Sequence, residues 1–338
     1  MKRIIISILY ACFVFQAFGQ DIHFSNFYTN VLNLNPAFTG YFKGKYRYNL
    51  TYRDRYRTVA VPYQTVSLGI DTKTSKLHGL RKTFGYGILL NYDIAGDSQF
   101  NTIQLQFPVS YIHITSNKQW NLSAGLMPAL VFNSLDYTLL RFPDQFDGVQ
   151  YNPNLPMNED FDKTNSFFFN IGAGGQATYK PNKTQSYTMG LAGYNLTTPN
   201  ISFFDDKSVQ LYARMLIHAM AIVEVKPDVD MVPAVKMQFQ GKQKEYHVGA
   251  MAIKYFDNLS IIDVSGGVWF RSRDRDAIIV GVGCNYLGYT ILCNYDINIS
   301  SLKKASNGHG AFELTVSSIL YEQKKRKKMT SVKCPPYL

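Results

Sequence analysis

Beyond its first twenty residues the sequence has no apolar run of about eighteen residues, so no helix of the mature chain is expected to cross a membrane. Charge is sparse: Asp, Glu, Lys and Arg make up 17% of 338 residues, low for a soluble protein of this size. Cysteine is sparse too. The four residues, Cys12, Cys284, Cys293 and Cys334, are too few for a disulfide framework. Six histidines, His23, His78, His113, His218, His247 and His309, are scattered, and no pair has ligand spacing on a shared face. That argues against a metal centre. A phosphate loop is missing as well: Gly172-Ala173-Gly174-Gly175 lies inside a strand pattern, not at a strand-to-helix turn. It reads as a site of close backbone approach or barrel curvature. No solenoid repeat and no linker divide the chain. No cofactor, metal site or catalytic group is expected.

What is abundant is aromatic residues, 14% of the chain, with 24 Tyr and 23 Phe, and glycine inside alternating segments. In 289–299 one side reads Tyr289, Ile291, Cys293, Tyr295, Ile297, Ile299 and the other Thr290, Leu292, Asn294, Asp296, Asn298. That is a strand with an apolar and a polar face. Leu287-Gly288 supplies a tight turn to a preceding strand, and Phe312, Leu314, Val316 alternate with Glu313, Thr315, Ser317 after it. In 42–53 Phe42, Tyr46, Tyr48, Leu50 and Tyr52 oppose Lys43, Lys45, Arg47, Asn49, Thr51 and Arg53. In a barrel the charged row faces a wet lumen and the aromatic row faces lipid. In a soluble sandwich the aromatic row is buried instead. The basic row suits anions, or it is a solvated or internally paired face.

Further strands are expected at 62–71, 83–94, 100–114, 119–133, 165–179, 185–196, 210–224, 231–240, 244–255, 260–271, 275–286, 289–299 and 310–321. The expectation is an all-β, transmembrane antiparallel β-barrel of about fourteen strands. Loop lengths decide between barrel and sandwich. With the N-terminus placed in the periplasm, the turns at Ser116-Asn117-Lys118, 180–183, Pro227-Asp228, Asp257-Asn258 and Leu287-Gly288 are short, and only 74–81 is longer. On the other side lie 134–164, 197–209 and 301–309. Short inside turns and long outside loops are the outer-membrane pattern, and a sandwich predicts no such bias.

Four regions follow. Residues 1–19 read as a secretory signal peptide: Lys2-Arg3, an apolar 4–15, and Ala17-Phe18-Gly19 at the cleavage site. A lipoprotein reading at Cys12 suffers from Tyr10 and a very short apolar region. Residues 20–41 form an irregular segment with turn signals at Asn35-Pro36 and Thr39-Gly40, expected to fill the lumen or to contact periplasmic components. Residues 42–321 are the barrel. Residues 322–338 are a basic periplasmic tail carrying Lys324-Lys325-Arg326-Lys327-Lys328, which hold much of what remains of the net charge of +11 once Lys2 and Arg3 are removed. Export argues against nucleic acid as the partner of that charge. Cys284 and Cys293 are diagonal neighbours across the Leu287-Gly288 turn, either two thiols or a disulfide.

Phe142, Phe146, Tyr151 and Phe161 in the long loop are candidate partner-binding residues. Packing the loop onto itself, or constricting the lumen, would use the same side chains. His309 and Glu313 near one outer loop, and Asp205-Asp206 near another, lie where rim hydrolases carry their groups, but catalysis needs mutual reach that sequence does not supply.

The start of the mature chain, Gln20-Asp21-Ile22-His23-Phe24-Ser25-Asn26-Phe27-Tyr28 followed by Leu34-Asn35-Pro36-Ala37-Phe38-Thr39-Gly40, resembles the PorP/SprF family. Asn35, Pro36, Ala37, Phe38 and Gly40 carry its N-terminal motif. Tyr48-Asn49-Leu50-Thr51-Tyr52-Arg53, Gly193-Tyr194-Asn195-Leu196, Trp269-Phe270-Arg271 and Asn294-Tyr295-Asp296 are similar to later patches of that family, and Lys333-Cys334-Pro335-Pro336 to its ending. Phe270 and Ala311-Phe312 depart from its pattern. The resemblance implies an outer-membrane barrel of the type IX secretion and gliding machinery. It also implies as partners that machinery and a secreted surface protein with an adhesin-like C-terminal domain. A porin-like channel for small solutes is the alternative.

Overall fold

The computed structural model describes residues 22–57, 61–74, 82–156, 163–203, 206–257, 260–272, 277–300 and 303–321. The signal-peptide region, the basic tail and Phe161 lie outside the described residues.

The alternating segments form strands β1 Tyr46–Arg55, β2 Tyr63–Lys73, β3 Lys82–Ala95, β4 in two halves (Phe100–Gln106 and Val109–Ile114), β5 Trp120–Ser134, β6 Asn165–Tyr179 and β7 Gln185–Tyr194. They continue as β8 Arg214–Lys226, β9 Val229–Gln240, β10 Gln243–Tyr255, β11 Ile261–Ser272, β12 Ala277–Tyr286, β13 Tyr289–Asn298 and β14 His309–Leu320. Both halves of β4 pair with β3 and β5, so they are one strand. The break falls at Phe107-Pro108, where proline has no N–H to donate. The ladder is rescued by Gly87 donating to the Pro108 carbonyl and Phe107 to that of Pro128. Each strand pairs antiparallel with its sequence neighbour, and β1 also pairs with β14, Tyr46 opposite Leu320. Fourteen strands therefore close into a barrel with no free edge.

Polarity is inside-out relative to a soluble sandwich. On β1, Tyr46, Tyr48 and Leu50 are exposed while Asn49, Thr51 and Arg53 are buried, Arg53 completely. Phe167 and Met189 are about two-thirds exposed on the outer wall, at 67% and 66%. A wall of that kind requires hydrocarbon around it. The closed ladder supplies the other condition, since neighbouring strands all round the wall pair their backbone groups with one another.

Two details differ from the sequence reading. The first strand begins at Tyr46 rather than 42, because the chain reaches the sheet from the lumen through Gly44 at φ +146°, and Lys43 and Lys45 are exposed outside the strand. The lumen is also less wet than the alternation implies. Leu89, Met127, Leu216, Val232, Trp269 and Ile279 point inward, and they are dry because they pack against Phe27, Leu32, Leu34 and Phe38 of the N-terminal segment.

Candidate functional site: a filled lumen and the long-loop end

Residues 22–41 run lengthwise through the barrel. Near the end that carries the long loops, Arg214 at the start of β8 donates to the Ile22 carbonyl at 2.9 Å. At the end with short turns, Ser110 donates to the Thr39 carbonyl at 2.5 Å, the Gly40 amide to Asp71 at 2.7 Å, and Asn121 to the Tyr41 hydroxyl at 3.0 Å. The segment thus touches β2, β4, β5 and β8 as it descends, and its aromatic and leucine side chains complete a core that the barrel wall lacks alone.

An ion cluster anchors its upper part. Arg53 reaches Asp296 at 2.8 Å and Glu313 at 2.6 Å, and Arg271 reaches Asp296 at 2.7 Å. Glu313 in turn accepts the backbone amides of Ser25 at 2.8 Å and Asn26 at 2.7 Å. The Ser25 hydroxyl donates to Asp296 at 2.8 Å and receives Arg271 at 3.0 Å and Arg53. Two cations, two carboxylates and two backbone donors therefore satisfy one another out of water, the condition under which buried charge is tolerated. Below, Lys236 pairs with Glu245 at 2.8 Å and lies over the Phe27 ring at 5.7 Å. Tyr28 stacks on Trp269 with centroids 4.9 Å apart.

The sequence Asn35-Pro36-Ala37-Phe38 explains the lower part. It folds as one 3₁₀ turn, Pro36–Phe38, because the Asn35 side chain caps the Ala37 amide at 2.9 Å and proline at the first position loses no hydrogen bond. The same side chain donates to the carbonyls of Gly175 and Leu191, both at 3.1 Å. The wall is cut to receive this turn. A Cβ on Gly125 would meet the Pro36 carbonyl at 2.5 Å, and one on Gly174 would meet the Asn35 Oδ1 at 2.2 Å. Close approach is thus the use of Gly174 within the 172–175 run, whereas Gly175 has room for a Cβ beside it. Beside the segment, Asn91, Gln104, Gln106, Asn170, Asn195 and Arg214 border a polar cavity of about 20 Å³, room for about one water.

At the long-loop end the segment between β5 and β6 carries two 3₁₀ turns, Tyr137–Leu139 and Pro143–Gln145, and a small hairpin. Phe146 and Tyr151 form its bridge, and Asn152 donates to the Gln145 carbonyl at 2.8 Å. Asp147 closes the tip by accepting the Val149 and Gln150 amides at 2.9 and 2.8 Å. Those amides hold the Asp147 carboxyl below the usual carboxylate range, Gln150 foremost. Arg141 lies over the Tyr151 ring at 4.9 Å. Tyr151 and Phe142 are half-buried within the loop, whereas Phe146 and Val149 are exposed, at 57% and 88%.

The motif residues Asn35, Pro36, Ala37, Phe38 and Gly40 come together in the lumen, all buried. Phe142, Phe146 and Tyr151 come together in the loop, well apart from them. Glu313 is fully buried in the ion cluster, while His309 is hydrogen-bonded to Tyr295 at 2.6 Å on the outer wall, so the two do not converge. The basic row is internally paired where it is in the strand: Arg47 holds Asp71 at 2.8 Å and Arg53 its two carboxylates. Cys284 and Cys293 are free thiols, opposite Ile291 and Val282. The cluster of Arg53, Arg271, Asp296 and Glu313 is the part that sequence reasoning missed as a unit. Its signal was a charged residue on the polar face near one end of each of four strands.

The barrel is similar in fold to solved structures of low identity. The CymD monoaromatic hydrocarbon channel matches with TM-score 0.54 and 12% identity over 87% of this chain and 93% of that one. The Ralstonia pickettii toluene transporter TbuX gives 0.51 and 10%, covering 86% and 93%, and the Pseudomonas putida toluene transporter TodX gives 0.51 and 12%, covering 88% and 94%. No curated protein matches the sequence. The model of the family described as "Type IX secretion system membrane protein PorP/SprF" matches residues 16–318. With nearly the whole described barrel and its N-terminal segment inside that match, the chain belongs to the PorP/SprF family of type IX secretion system membrane proteins.

Proposed function

We propose that this protein is an outer-membrane component of the type IX secretion machinery that works by holding other proteins, not by catalysis and not by passing solutes. Its long-loop end faces outward and helps secrete or anchor a surface protein, with the 145–152 hairpin as a contact. Its short-turn end faces the periplasm and touches the machinery, which in gliding cells couples to movement. One observation carries this reading: the lumen is occupied along its length by residues 22–41, so the surfaces open to other molecules are the two ends. The alternative, a channel for small solutes like those the hydrocarbon channels' names describe, requires that segment to leave its seat.

Deleting 142–152, the part of the loop between its flanking 3₁₀ turn and the end of the hairpin, tests the outward half. Export to the surface, or retention there, is expected to fail while the barrel still assembles and migrates as a heat-modifiable band. Unchanged export and retention with that deletion would remove the loop from the function.

A further inference from the structure

Charge at the short-turn end is sorted by sector. In the half that runs from β1 to β7, the rim carries Lys43, Lys45, Lys82, Lys118, Lys180 and Lys183, and the rim stretches 42–45, 72–74, 114–120 and 179–185 contain no acid. The nearest carboxylate, Asp71, is buried and already held by Arg47 and the Gly40 amide. In the next sector, the ends of β8 to β11 carry Glu224, Asp228, Asp230, Asp257 and Asp263 against Lys226 and Lys254. The turn between β12 and β13 is uncharged. The long-loop end shows no such sorting: Asp136, Arg141, Asp144 and Asp147 mix signs within one loop.

Lysines at a membrane interface usually serve phospholipid headgroups. A bilayer surrounds the barrel on every side, however, so that role predicts lysines all round and gives no reason for an acidic arc at the same depth. A protein that docks on one side gives such a reason, because one arc attracts it and the other repels it, fixing its rotational position. The basic arc also flanks the mouth where the N-terminal segment leaves the lumen. There Phe42 lies under Arg47 at 4.8 Å and Lys73 at 5.1 Å, and Tyr41 under Lys180 at 5.9 Å. Aromatic surface and cations are thus held together beside the arc.

We propose that this basic arc is the docking surface for an acidic surface of a periplasmic protein. The proposal rests on the reading above that the short-turn end faces the periplasm. The binding probe is a fluorescent oligoglutamate peptide, titrated against the full chain in nanodiscs of zwitterionic lipid. The peptide is expected to bind with an affinity that falls as salt rises. K118E/K180E/K183E is expected to weaken it about tenfold, and D228K/D257K not to weaken it. Equal affinity for the wild type and the lysine reversal would overturn the proposal. In cells, the lysine reversal is expected to block export at wild-type barrel levels, whereas D228K/D257K leaves it intact. Normal export with the lysine reversal, in a strain where deleting the gene stops export, would overturn the docking surface alone. Normal export in the gene deletion would overturn the secretion reading beneath it. Loss of assembled barrel in the lysine reversal, with D228K/D257K assembling normally, would assign the lysines to the lipid leaflet and overturn the proposal.

Discussion

Arg53 is fully buried inside a barrel that itself sits in a low-dielectric surrounding, yet it is not stranded. Asp296, Glu313 and the Ser25 hydroxyl accept from it, so the cation, its counter-charges and the N-terminal segment stand or fall together. Removing one partner of a buried pair costs about 3–5 kcal/mol, because the other is left charged and unpaired. We therefore predict that R53A lowers unfolding stability in detergent by about that amount, read from denaturant titrations, and that E313Q costs less, since the amide oxygen keeps one of the two backbone donors, which reach different oxygens of Glu313, and Asp296 still pairs with Arg53. A loss below about 1 kcal/mol for R53A would place the cluster in contact with water instead. Gly125 makes a second point. The atom its Cβ would strike belongs to the Pro36 backbone at 2.5 Å, which cannot swing aside as a side chain could. G125V is expected to unseat residues 22–41 while leaving the strands intact. Protease cleavage within that segment, at unchanged far-ultraviolet circular dichroism, is the readout. Nothing in sequence marks Gly125 apart from other strand glycines, because the residue it makes room for lies nearly ninety positions away (roughly, by simple numbering), and non-local contacts leave no local pattern.

Among the elements, the strands were legible because their constraint is local. Every second residue meets hydrocarbon, so the alternation is written into neighbouring positions, as in Tyr289, Ile291, Cys293, Tyr295 and Ile297. Even the proline-interrupted β4 reads as one strand, since the alternation survives Pro108. The single turn at Asn35-Pro36 was legible for the same reason, the cap and the proline being adjacent. The path of 22–41 was not, because its partners, Arg214, Asp71 and Glu313, are dispersed along the chain. The loop hairpin yields a prediction of its own. A depressed Asp147 pKa means that its amide contacts add stability above the ordinary aspartate value of 3.8, and that this contribution is lost as pH falls through the lowered value. Exchange of the Val149 and Gln150 amide hydrogens is expected to lose its protection in strong acid and to be steady from mildly acidic to neutral pH. Exchange equally fast at all pH values, once the intrinsic rate is divided out, would show that Asp147 does not close the tip.

For the whole molecule, alternation alone is ambiguous, because a sandwich and a barrel share it and differ only in which face is wet. Loop asymmetry broke the tie: antiparallel order puts successive connections at opposite ends, and the long ones, 135–164, 195–213 and 299–308, all fall at one end, even though 96–99 and 241–242 there are short. What closure does not dictate is what fills the cylinder. A fourteen-stranded barrel with its lumen cleared would leave room for water along its axis, whereas here the aromatic and leucine side chains of one segment occupy it, among ion pairs that the wall supplies. Current across a planar bilayer measures that occupancy directly. The full chain is expected to give no steady open state, and the chain lacking residues 22–41 to give a steady pore. A full chain that conducts steadily, at the same level as the deletion, would contradict the filled lumen and with it the case for a protein that works at its two ends.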